Sequence, residues 1–158
     1  MEQLISDSFT ILKEEDNMPV VYDWMDIGDV LSAKHRSNSI LNEQESYITN
    51  KLIAMLKRIK LRDNIILYRG RRNEPTSTIV EANQFTALSP NINTAETYGP
   101  YIMKVIVPSG TNAFYISAWE LINTDVGEQE EKEVLLLPGR FTLYEKEDYW
   151  STYLYTQY

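Results

Sequence analysis

Cysteine is absent from this 158-residue chain, which excludes disulfides, thiolate nucleophiles and cysteine-ligated zinc at once. Histidine occurs once, at His35, between Lys34 and Arg36. A Ser-His-Asp triad or a multi-histidine metal site has almost no material, so no metal is expected, and His35 reads as a surface helix residue. Basic residues are outnumbered, with 15 Lys and Arg against 23 Asp and Glu and a formal net charge of -8. That balance argues against general affinity for nucleic-acid backbone, which comes from clustered cations displacing counterions. A basic or arginine-bearing partner suits the surface better. Long apolar runs are missing too. No stretch approaches the ~20 residues of a membrane span, and the N-terminus carries acids where a secretory signal needs positive charge. The expectation is a protein working in a cytoplasm, its own or one into which it is delivered, without a membrane partner.

What remains is an ordinary globular composition, 43% hydrophobic and 24% charged, without repeats or low-complexity tracts. The length fits a single domain over residues 1–158. Residues 1–61 read as helical. Pro19 precedes Val20, Val21, Trp24, Met25, Gly28 and Leu31, an amphipathic segment opened by a helix-compatible proline. Asn42-Glu43-Gln44-Glu45 has capping-box spacing, and Ile48, Leu52, Ile53, Leu56 and Ile59 then recur on one helical face.

From residue 62 the period changes to that of strands. Extended runs are predicted over 64–70, 84–89, 101–107, 114–116, 134–137, 141–145 and 149–156, and residues 71–83 read as a loop with one short extended piece. Helices first and strands later indicate an α+β fold with antiparallel or mixed sheets. Seven of the 11 tyrosines follow residue 100, and most are expected to bury their rings and keep their hydroxyls wet.

Three short stretches carry chemistry. Leu67-Tyr68-Arg69-Gly70 ends a buried-looking strand in a guanidinium, whose planar fork suits phosphate or carboxylate, with a glycine that lets a ligand reach the backbone. A plain strand-terminating arginine paired with a surface carboxylate is the alternative. Phe85-Thr86-Ala87-Leu88-Ser89 brings a hydroxyl to a strand end, where it can orient a carboxylate or simply open the turn at Pro90. In the third, Glu128, Glu130, Glu131 and Glu133 run without a spacer into Val134-Leu135-Leu136-Leu137-Pro138. A carboxylate at the first position of core is costly unless something satisfies it. If the extended conformation begins before Val134, Glu131 and Glu133 share a face. Glu128 and Glu130 read as a solvated acidic loop.

In this order the three stretches resemble the signature of the R-S-E class of mono-ADP-ribosyltransferases, which includes clostridial binary-toxin enzymes, vertebrate ecto-transferases and phage-encoded transferases. That signature is aromatic-Arg-Gly, then aromatic-x-Ser-x-Ser, then Glu-x-Glu before a Val-Leu-Leu-Pro-like strand. The resemblance spans about residues 40 to 142 and departs at Ala87, where the family has the first serine.

It implies an α+β fold with N-terminal helices packed on a mostly antiparallel two-sheet β core, and NAD as ADP-ribose donor, with nicotinamide leaving from the ribose through an oxocarbenium-like centre. Arg69 would hold the phosphate and ribose side, Gly70 would meet the nicotinamide amide through its backbone, and Ser89 would orient Glu133. Glu133 would bond the ribose hydroxyl and stabilise the cation. Glu131 would orient and deprotonate an arginine acceptor on a host cytosolic protein; glutamate rather than glutamine at that place goes with arginine in the family. Tyr98 and Tyr101 are the candidates for an aromatic near the nicotinamide. An NAD glycohydrolase, a nucleic-acid ADP-ribosyltransferase, or an inactive interaction module on the same fold are the alternatives. All of them require residues 69, 89 and 133 to line one crevice.

Overall fold

The computed structural model describes residues 1–14, 17–119 and 132–158. Three helices come first: α1 (Glu2–Leu12), α2 (Asn17–Arg36) and α3 (Glu43–Lys57). Pro19 sits in the first turn of α2, where its missing N–H costs nothing. The capping box at α3 is formed. The Asn42 side chain accepts from the Glu45 N–H at 2.8 Å, and Glu45 Oε1 accepts from the Asn42 N–H at 2.9 Å. Lys34 on α2 reaches the same Glu45 oxygen at 2.7 Å, so one buried carboxylate both starts α3 and ties it to α2.

His35 departs from its surface assignment. It is half-buried between α2 and α3, its Nε2 lies 3.3 Å from Thr49 Oγ1, and burial holds its pKa below the ordinary imidazole value. Among the described residues, no helix is long and apolar enough to cross a membrane.

Among the described residues eight strands follow: β1 (Ile65–Arg71), β2 (Ile79–Ala82), β3 (Thr86–Leu88), β4 (Tyr101–Val107), β5 (Ala113–Tyr115), β6 (Val134–Leu136), β7 (Gly139–Glu147) and β8 (Trp150–Gln157). They form a five-stranded sheet in the order β1-β4-β8-β7-β2 and a three-stranded sheet in the order β3-β6-β5. Every pairing is antiparallel except β4 with β8. The α+β fold expected from the period change is observed, with the mostly antiparallel two-sheet core that the resemblance implies.

The core gathers apolar side chains from both sheets and the helices, with Leu12, Leu52, Leu56, Leu67, Phe114 and Leu135 fully enclosed. α1 docks on β5 through the buried Ser8, whose Oγ accepts from the Tyr115 N–H at 2.9 Å. Tyr155 corrects the expectation of wet hydroxyls. Its O–H is buried and donates to the Leu137 carbonyl at 2.6 Å, and burial pushes its pKa up.

Two elements escaped the sequence pattern: a 3₁₀ turn at Ile116–Ala118 and a one-turn helix, α4 (Ile92–Glu96). Asn91 caps α4, accepting from the Asn93 N–H at 2.8 Å and the Thr94 N–H at 3.2 Å. α4 lies so close to β1 that a Cβ on Gly70 would stand 1.8 Å from the Ala95 carbonyl oxygen. Gly99, at φ +156°, makes the reciprocal approach, with a Cβ there falling 2.2 Å from the Arg71 carbonyl. Glycine at these positions is demanded by backbone against backbone.

Gly70→Ala is accordingly expected to force α4 off β1 and cost about 1–3 kcal/mol, read as a shifted urea midpoint. Asn42→Ala should cost about 1 kcal/mol through the lost cap. The Glu45 pKa is held below its ordinary value of 4.5, first by the Lys34 hydrogen bond and then by the Asn42 N–H. Its stabilising contribution is therefore complete above that value and is lost as pH falls through the depressed one. Melting temperature measured between about pH 5 and about pH 3 should fall less steeply in Glu45→Gln than in the parent.

Candidate functional site

The site is assembled by a splice between the two sheets. Beyond the end of β3, Ser89 pairs with Tyr68 of β1 as an isolated antiparallel bridge. The Tyr68 N–H donates to the Ser89 carbonyl at 2.7 Å, and the Ser89 N–H donates to the Tyr68 carbonyl at 2.9 Å. On its other side β3 pairs with β6 in a register that sets Leu88 against Val134, so one step further along brings Ser89 opposite Glu133. One serine thus stands between the arginine strand and the glutamate strand.

Each group is fixed locally. Ser89 is buried, and its Oγ accepts from the Asn91 N–H at 3.1 Å, tying the strand end to the cap of α4. Glu133 is half-buried. Its N–H donates to Ser117 Oγ at 2.7 Å and its carbonyl accepts from the Ser117 N–H at 3.5 Å. The strand does not extend back through Lys132, which has φ +44°; β6 begins at Val134. The alternation that would put residues 131 and 133 on one face is therefore interrupted at 132. Glu131, with Glu128 and Glu130, lies outside the described residues.

Arg69, Gly70, Ser89, Tyr98 and Glu133 line one cleft of about 490 Å³. A second lobe of about 550 Å³ shares Arg69, Ala87, Tyr98 and Glu133 and runs along α2 past Met25, Ser32 and Arg36. Tyr98 is exposed over the cleft, whereas Tyr101 sits in β4 against Tyr149, ring centroids 5.2 Å apart, and is not among the lining residues. At the position where the signature has serine, Ala87 turns its methyl to the cleft. Thr86 is buried and paired with Leu136, so its hydroxyl does not replace the missing one.

Electrostatically the cleft departs from the acidic chain around it. Arg36, Arg69, Arg71 and Arg72 border it, against Asp29 and Glu133. Among the described residues none of the four arginines forms a salt bridge. Arg69 opens to solvent at the cleft mouth, yet the protein around it, and then the charges of Arg71 and Arg36, hold its pKa below the ordinary guanidinium value. A guanidinium is not deprotonated in proteins at neutral pH. Mutually repelling cations held around a cavity favour an anion between them, and guanidinium forks suit a diphosphate. At the Glu133 side a fixed carboxylate in a sheltered cleft suits a developing positive charge.

The α2 wall was not anticipated as part of the site. Met25, Asp29, Ser32 and Arg36 follow each other by three or four residues, a stripe beside the buried face of Val21, Trp24 and Leu31. The helical period contains that signal, but only the apolar face announces its own partner.

No protein-family model matches the chain, and no curated protein does. Solved structures do. C3stau2 from S. aureus, determined with NAD, superposes with a TM-score of 0.74 at 17% identity, covering 99% of this chain and 92% of that one. The Clostridium limosum C3 exoenzyme gives 0.74 at 15%, covering 96% and 90%. Plx2a, an ADP-ribosyltransferase toxin from Paenibacillus larvae, gives 0.73 at 11%, covering 99% and 92%. The fold of this chain is the one these ADP-ribosyltransferase structures share.

Proposed function

We propose that the chain is an NAD-dependent mono-ADP-ribosyltransferase that modifies arginine on a target protein. The observation that carries this reading is the meeting of Arg69, Ser89 and Glu133 in one cleft bordered by four arginines and by the acids Asp29 and Glu133. Neighbouring structures of the same fold were determined with NAD or NADH bound.

In this reading Arg69, with Arg36, Arg71 and Arg72 nearby, holds the diphosphate of NAD. The Gly70 backbone faces the nicotinamide amide, and Tyr98 covers the nicotinamide end. Glu133 bonds the ribose hydroxyl and stabilises positive charge as the bond to nicotinamide breaks. A preorganised contact of that kind is worth about 3 kcal/mol. Ala87 offers the cofactor a methyl in place of a hydroxyl, and affinity for NAD then rests on the guanidiniums.

Glu131, two residues before Glu133, is assigned to the acceptor. An arginine side chain has a pKa above about 12 and attacks poorly while protonated, so a carboxylate must orient it and take its proton. The target in this reading is a host protein with an accessible arginine. The enzyme belongs to a phage or a delivered effector and works in the cytoplasm of the producing or the host bacterial cell.

Incubation with labelled NAD and a bacterial lysate should label protein, and Glu133→Gln should lower labelling by about 10²–10³-fold. Labelling by Glu133→Gln equal to the parent would falsify the catalytic assignment. Glu131→Gln should lose protein label while still releasing nicotinamide. Nicotinamide release without label in the parent points to hydrolysis, and nuclease-sensitive label to a nucleic-acid acceptor. Calorimetry with neither NAD binding nor heat of turnover points to an inactive module.

A further inference from the structure

We infer that Ser117 is a positioning residue for Glu133, its side-chain hydroxyl standing in for a strand that has ended; this rests on the reading of Glu133 as the catalytic carboxylate. β6 is the central strand of the three-stranded sheet, and its ladder with β5 pairs Tyr115 with Val134. The next rung would set Ile116 against Glu133, but the chain coils there into the 3₁₀ turn at Ile116–Ala118.

In an antiparallel ladder the N–H and C=O of one residue point to the same side. Ser89 commits both groups to Tyr68. The residue across from it in the β3–β6 register, Glu133, must then turn its own N–H and C=O the other way, toward the side β5 has left. Both arrive at Ser117. The Glu133 N–H donates to Ser117 Oγ at 2.7 Å, and the Ser117 N–H donates back to the Glu133 carbonyl at 3.5 Å.

The clasp matters because the chain enters Glu133 from a turned residue. Lys132 has φ +44°, so the extended backbone of β6 does not continue back through it to align the glutamate. Ser117 is buried, at 1% exposure, and does not line the cleft, so it acts on Glu133 and not on a ligand. With both peptide groups of Glu133 pinned, its Cα–Cβ bond is aimed before any ligand arrives. A misaimed catalytic group of this kind costs up to about 10²-fold in rate.

The test compares Ser117→Ala and Ser117→Cys with the parent. Alanine removes the acceptor. Cysteine keeps the side-chain volume and offers only a weak acceptor, so a role in packing alone would leave it at parental activity. Both variants are expected to lower kcat for nicotinamide release about 10–100-fold while KM for NAD stays within about twofold, since the binding groups are untouched. Both should also speed exchange of the Glu133 amide proton, followed by NMR. Parental kcat in Ser117→Cys overturns the proposal, and so does an unchanged Glu133 amide. If alanine does not fold, cysteine decides. If the parent itself releases no nicotinamide, the functional reading fails, and amide exchange alone decides whether Ser117 holds Glu133.

Discussion

The pair of hydrogen bonds between Tyr68 and Ser89 is the join on which the site depends. Without it the arginine strand and the glutamate strand belong to separate sheets. The join is short, one residue on each side, and it lies at the position where β1 is about to present Arg69 and where β3 has just ended. Everything downstream follows from register. Ser89 facing Tyr68 fixes which way Glu133 can face, and the end of β5 fixes that Ser117 must receive its peptide groups. The glycine after the arginine belongs to the same construction, because α4 needs its missing Cβ to close over the strand.

The cleft also reconciles two facts that pull apart. The chain carries a net charge of -8, yet the groove gathers four arginines. An acidic surface repels free nucleotide at long range, whereas guanidiniums a few ångströms away dominate once it has entered, since screened distant charges weaken faster than near ones. The same acidity favours approach of a basic protein surface. Substrate and target in the proposed reaction therefore answer to different parts of one electrostatic field.

Much of this was legible in the residues, and the gaps have physical causes. The capping box at Asn42 was readable because its spacing is local, and Tyr68-Arg69-Gly70 and Glu133-Val134-Leu135 marked their strand ends. Only the resemblance linked Ser89 with Glu133, because the strand register that sets them across from each other is a long-range property. α4 was hidden because Asn91 begins a helix too short to show a period. The turn at Lys132 was hidden because a lysine at positive φ has no compositional mark. Ser117, one hydroxyl in an apolar run, has no meaning until β5 is seen to stop two residues before it. Gly70 was read as making room for a ligand, and the coordinates add the carbonyl of Ala95 as the nearer neighbour.

In the proposed reaction one crevice holds Arg69, which binds, and Glu133, which catalyses, against the same NAD molecule. Calorimetric titration of NAD into Arg69→Ala and Glu133→Gln, paired with nicotinamide release by each, tests it most directly. Arg69→Ala is expected to weaken binding by about tenfold or more, and Glu133→Gln to keep Kd within about threefold while turnover collapses. Kd unchanged by Arg69→Ala together with turnover unchanged by Glu133→Gln would contradict it.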